Sequence, residues 1–110
     1  MTAIAFYAPM KSPNHPVPSG DRTLARSLMS AFQSAGHDVF LASELRIRDK
    51  VGDAAVQADQ IHAAAQEIAR LTASAEMAEV EAWVTYHSYY KSPDLIGPAV
   101  CRALGLPYLL

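Results

Sequence analysis

His87 lies in the run Tyr86-His87-Ser88-Tyr89-Tyr90-Lys91, the stretch of the chain with the most chemistry in it. An imidazole at its ordinary pKa can hydrogen-bond a hydroxyl or relay a proton near neutral pH. The flanking rings of Tyr86, Tyr89 and Tyr90 offer the kind of face on which a sugar ring packs, although such rings also pack onto a sheet for structural reasons alone. A second segment runs from Lys11 to Ser19-Gly20-Asp21 and supplies a mobile cation, a small hydroxyl, a residue without Cβ and a carboxylate. Gly20 lets backbone approach a ligand closely, and a helix starting beside it turns unpaired N–H groups toward a phosphate or a sugar hydroxyl. Asp21 places negative charge at the same point, in competition with an anionic ligand. The candidate site is therefore His87 as the catalytic group, with Ser19, Gly20, Asp21, Lys11, Tyr90 and Lys91 as substrate-binding residues.

Other chemistries find no support. His15, His37 and His62 show no ligand spacing with one another or with Cys101, so no metal is expected, and no bound cofactor either. Neither Ser19 nor Ser88 sits in a nucleophile elbow. The three-glycine dinucleotide fingerprint and the phosphate loop ending in Gly-Lys-Ser/Thr are both missing from the sequence. Cys101 is the single cysteine and reads as a buried structural thiol. A formal net charge of −2 gives no electrostatic reason to expect nucleic acid as a partner. Arg46, Arg48 and Lys50 gather around Asp49 and read as a solvated loop.

The elements that must position these residues alternate along the 110-residue chain. Ile4–Tyr7 is apolar without alternation, as in a strand covered on both faces. Asp21 is a suitable N-cap for a helix to about Ala35, with Leu24, Leu28, Ala31, Phe32 and Ala35 at helical spacing and Gly36 beyond the end. Asp38–Ala42 reads as a second strand. Ser43–Gly52 has no clear assignment and has room for a short hairpin. From Asp53 an Ala-rich crossover helix carries Ile61, Ala64, Ala65, Ile68, Leu71 and Ala75 at intervals of three and four. Ala82–Tyr86 has the composition of a third strand. Ser92-Pro93-Asp94 resembles a helix start, but Pro98 favours a later one, running from near Pro98 to Leu104 with Gly105 as the C-cap. Pro107–Leu110 opens a fourth strand.

This pattern predicts one domain over residues 1–110: an α/β, Rossmann-like three-layer sandwich with a mostly parallel sheet, truncated after its fourth strand. With the first strand central and the second and third on either side, the loops 8–20 and 87–93 border one crevice at a topological switch point, where ligands of open α/β sheets bind. No apolar window approaches the ~20 residues needed to span a bilayer. The cytoplasm is the expected compartment, with a full-length parent able to sit peripherally at the inner membrane face.

Three segments together resemble a family. FYAPMKSP with PVPSGDR at the first strand and helix, SAGHDVFLAS at the second strand, and TYHSYYKSPDLIGPAVCRALGLPYLL at the end are similar to the N-terminal domain of GT-B fold glycosyltransferases of the family-4, group 1 type. The resemblance implies transfer of a sugar from a nucleotide-sugar donor to an acceptor held mainly by this domain. The donor would be held by a C-terminal domain of the same parent chain. It also implies that Gly20 corresponds to the glycine of the loop near the donor diphosphate and acceptor, and His87 to a histidine near the transferred sugar. Many members carry a glycine pair where this chain has Ser19-Gly20, and a second histidine where it has Tyr89. Without the C-terminal half, these residues alone are expected to be inactive. A reading frame continuing past Leu110 for roughly 200 residues into a second α/β domain would favour this reading. Two others stay open: a small flavodoxin-like nucleotide-binding module, and a non-catalytic α/β interaction domain, homodimeric through an open sheet edge.

Overall fold

The computed structural model describes residues 2–48, 52–88 and 92–110. Strand β1 (Ala3–Tyr7) is apolar because both of its faces are covered, and Ile4 through Tyr7 are buried. Helix α1 (Gly20–Ser34) follows the Pro-rich loop. Its N-cap is Ser19 rather than Asp21: Ser19 is extended, and its hydroxyl accepts from the Arg22 N–H at 3.2 Å. Serine and aspartate cap comparably well, and starting at the earlier residue adds the Thr23 N–H to Ser19 carbonyl bond, so Asp21 falls inside the first turn. The stripe facing the sheet is Ala25, Leu28 and Met29, packed with Phe6, Ala8, Val39 and Leu41. Leu24, expected on that stripe, is 56 % exposed, because the small Ala25 takes the position of closest approach.

Strand β2 (Asp38–Ser43) pairs parallel with β1. The segment after it forms no hairpin over 43–48; it is strapped across the end of β1 instead. Ile47 N–H donates to the Pro9 carbonyl at 2.8 Å, the Tyr7 hydroxyl to the Leu45 carbonyl at 2.7 Å, and Arg46 Nε to the Met10 carbonyl at 2.9 Å. Helix α2 (Ala54–Thr72) is capped by the Asp53 carboxylate and crosses to the opposite face. Only its later turns meet the core, through Ala64, Ile68 and Leu71. Residues 54–59 are exposed and Ile61 is 60 % exposed, so the predicted stripe is occupied in its second half alone.

A short 3-10 turn (Glu76–Glu79) leads into β3 (Val80–Thr85), two residues earlier than its composition suggests. Helix α3 (Gly97–Leu104) has Pro98 in its first turn, where a missing N–H costs nothing, and ends on Gly105 at φ 68°. Strand β4 (Tyr108–Leu109) pairs parallel with β3. The order is β2-β1-β3-β4, all parallel. With α1 on one face and α2 and α3 on the other, each over its own apolar cluster, the protein is a Rossmann-like α/β sandwich. Among the described residues, no helix is long and apolar enough to cross a membrane.

Candidate functional site

The chain runs from β1 to β2 on one side and reaches β3 on the other, so the switch point lies between the carboxyl ends of β1 and β3. Tyr86 N–H donates to the Tyr7 carbonyl at 2.9 Å, carrying the β1–β3 ladder one step past the strand end. His87 follows directly, and its Nδ1 lies 2.7 Å from Oδ1 of Asp21 in the first turn of α1. The two residues are 66 positions apart in sequence and meet because their strands are neighbours. His87 is also the one described non-glycine residue at positive φ, at 62°. Its side chain is 40 % exposed, and the Tyr86 ring meets it edge to face with centroids 5.6 Å apart. Burial, and secondarily the Asp21 carboxylate, push the Tyr86 phenol up from its ordinary pKa.

The structure thus brings together His87, Asp21 and, beside Asp21, Gly20 and Ser19. Ser19 spends its hydroxyl on the helix cap. Gly20 has open space around it: nothing lies within 4 Å of where a Cβ would stand, so the fold itself does not require glycine there. Lys11 is partly buried in the β1–α1 loop, which is tied by Arg46 at Met10 and by Arg26 Nε at the Pro13 carbonyl, 2.6 Å away. Tyr90 and Lys91 lie outside the described residues.

Sequence reasoning missed what holds the far end of the His87 loop. The Asp94 carboxylate accepts from Ile96 N–H at 3.0 Å and Gly97 N–H at 2.8 Å through Oδ1, and from Thr85 Oγ1 at 2.5 Å and the Tyr108 hydroxyl at 2.7 Å through Oδ2. Trp83 Nε1 donates in turn to Thr85 Oγ1 at 2.8 Å, and Asp94 N–H donates to Ser88 Oγ at 3.1 Å. Burial, followed by the Asp94 contact, raises the Tyr108 phenol. The local part of the signal was an aspartate two and three residues ahead of Ile96 and Gly97, the spacing at which an Asp side chain closes a turn on the backbone; α3 itself has Ile96 as its N-cap.

An open groove of about 570 Å³ lies elsewhere, between the end of β2 and α2. Glu67 lines it, bound by Ser43 Oγ at 2.5 Å and by Arg70 at 2.7 and 3.0 Å, and Arg70 also reaches the Ala42 carbonyl at 2.7 Å. The Arg70 hydrogen bonds hold Glu67 below the usual carboxylate range. None of the candidate residues named from the sequence lines this groove.

Chemically, an aspartate accepting from Nδ1–H fixes the imidazole tautomer and leaves Nε2 with the lone pair. Such a pair can accept a hydrogen bond from a hydroxyl, or take its proton and hold the charge that results. Comparison with protein-family models gave no match to the chain, and neither did comparison with curated proteins or with solved structures.

Proposed function

We propose that this domain is the acceptor-side, N-terminal half of a GT-B type glycosyltransferase, which moves a sugar from a nucleotide-sugar to an acceptor. The donor is held mainly by a C-terminal domain of the same parent chain. The observation that carries the reading is the Asp21–His87 pair at the switch point, joining the start of α1 to the end of β3. In transfer, the acceptor oxygen bonds to the anomeric carbon as the bond to the diphosphate breaks, and the acceptor proton must leave. An oriented imidazole within hydrogen-bond reach of that hydroxyl lowers the barrier, an effect of about 10²–10⁴ in rate for a positioned proton acceptor. Gly20 leaves room for substrate against the first turn of α1, and the tyrosine beside His87 offers a face to a sugar ring.

The test is a ¹H–¹⁵N titration of the chain with free glycosides and nucleotide-sugars, in the wild type, His87→Ala and Asp21→Asn. Saturable shifts at Gly20, Asp21, Tyr86 and Ser88 that weaken about tenfold or more in both variants are expected. Identical titrations in wild type and His87→Ala would remove His87 from the site. Where the parent enzyme is in hand, His87→Ala lowers kcat and Asp21→Asn lowers it less.

A further inference from the structure

Five of the described cations, Lys11, Arg22, Arg26, Arg46 and Arg48, follow the carboxyl ends of β1 and β2, where the carboxylates of Asp21, Glu44 and Asp53 also lie. Two guanidinium groups from different elements reach one short loop. Arg26, from α1, donates through Nε to the Pro13 carbonyl, and Arg46, from the β2–α2 connection, donates through Nε to the Met10 carbonyl. Lys11 lies between them in sequence. Carbonyls three residues apart cannot be separated by more than about 11 Å, so three cations are gathered around a single loop.

Among the described residues, none of these five side chains is in an ion pair; the pairs present are Glu67–Arg70 and Asp21–His87. Glu44 is the carboxylate that reaches the loop, accepting from Ser12 Oγ at 3.5 Å. The Nε atoms of Arg22 and Arg48, on the flanks of the same edge, are shut off from solvent and have no hydrogen-bond partner among the described residues. Arginines tied through Nε keep the rest of the planar fork for bidentate contact with phosphate oxygens, and lysine adds a point charge.

We propose that the Pro9–Pro13 loop, clamped by Arg26 and Arg46 with Lys11 between them, binds the phosphate group of a phosphorylated ligand. The site does not depend on the sugar-transfer reading; under that reading the phosphate belongs to the acceptor, alongside the Asp21–His87 pair. The shared chemistry is a phosphate monoester, carried either by a soluble metabolite or by a lipid headgroup.

The experiment titrates the ¹⁵N-labelled chain with inorganic phosphate, glucose 6-phosphate and glucose, in wild type, Arg26→Gln, Arg46→Gln, Arg46→Lys and Arg102→Gln. Arg102 lies in the last turn of α3, at the opposite edge, and controls for net charge. Saturable shifts at Met10, Lys11 and Ser12 with both phosphates are expected, and none with glucose at equal concentration. Affinity should fall about tenfold in Arg46→Gln and Arg26→Gln, recover partly in Arg46→Lys, weaken with salt, and stay unchanged in Arg102→Gln. Circular dichroism establishes that each variant is folded. Co-sedimentation with phosphatidylcholine vesicles, with and without phosphatidic acid, separates the sources: capture by the acidic vesicles alone assigns the phosphate to a lipid, and its failure assigns it to a soluble ligand. Shifts that never saturate, or that fall equally in Arg102→Gln, overturn the proposal. Phosphate binding at the loop with no glycoside effect around His87 would defeat sugar transfer alone; the converse would defeat this site alone.

Discussion

Replacing Gly97 by alanine tests the Asp94 network that anchors the loop carrying His87. A Cβ at position 97 would fall on Asp94 Oδ2 and within 2.6 Å of both Trp83 Nε1 and Tyr108 Cε1. These neighbours have little room to withdraw. Trp83 is fully buried, and Asp94 is held by four hydrogen bonds. Overpacking of this kind costs about 1–3 kcal/mol. Moving the carboxylate off Thr85 and Tyr108 gives up two hydrogen bonds at about 1 kcal/mol each. Against this, alanine lowers the freedom of the unfolded chain and favours helix, worth up to about 1 kcal/mol. The net expectation is a loss of about 2–4 kcal/mol, out of a total of about 5–15 kcal/mol for a domain of this size. At an unfolding entropy of about 2.1 cal/mol/K per residue, that lowers Tm by about 9–17 °C. Urea melts followed by the fluorescence of Trp83, the single tryptophan, and by far-UV circular dichroism measure it. Gly20→Ala is the control: it meets nothing within 4 Å and should stay within about 0.5 kcal/mol of wild type. A Gly97→Ala protein as stable as wild type, or a Gly20→Ala protein as damaged as Gly97→Ala, would refute the packing argument.

His87→Gly should be more stable than His87→Ala by about 1 kcal/mol, since both lose the Asp21 contact and only glycine is at ease at φ 62°; paired urea melts decide it. Ser19→Ala removes the N-cap of α1 and should cost about 1 kcal/mol in the same assay. Arg70 depresses the Glu67 pKa, so the stability Glu67 contributes is present above its ordinary value of 4.5 and is lost as pH falls through the lower folded value. Glu67→Gln should therefore flatten the acid limb of stability against pH. Burial raises the Cys101 thiol from 9.0 to about 11, so its contribution is complete below pH 9 and disappears as pH rises toward 11. Cys101→Ala should remove that part of the alkaline limb, and native Cys101 should react with a thiol reagent at pH 8 only as fast as the protein opens.

The order of elements was legible in the sequence because it rests on local signals: apolar runs, helical spacing, and glycines such as Gly36 and Gly105 just past helix ends. Helix faces were read less well. Leu24 and Ile61 fit a spacing rule, but which residues are buried depends on where the sheet lies, and α2 meets the sheet only in its second half. The Ser43–Gly52 stretch resisted assignment because its described part makes no regular pairing of its own and takes its partners from Pro9, Met10 and Tyr7. In the site, the residue types of His87 and Asp21 were visible, but not their contact, which follows from strand order rather than from any spacing. The Asp94 network escaped for a similar reason: Trp83, Thr85, Asp94 and Tyr108 come from two strands and a loop, and only the fold brings them together.

The backbone at His87 bears on whether that histidine serves the fold or the chemistry. A non-glycine residue in the left-handed region costs on the order of 1 kcal/mol, and an exposed ion pair such as the one with Asp21 returns about 0–1 kcal/mol. The contact with Asp21 therefore offsets part of that strain. The loop nevertheless imposes the conformation. On one side Tyr86 is fixed to the Tyr7 carbonyl, and on the other Ser88 is tied to Asp94, which is itself held from β3, β4 and α3. A side chain held where the backbone favours glycine, facing a carboxylate from a neighbouring element at the switch point of a parallel sheet, is the placement that the proposed role of His87 requires.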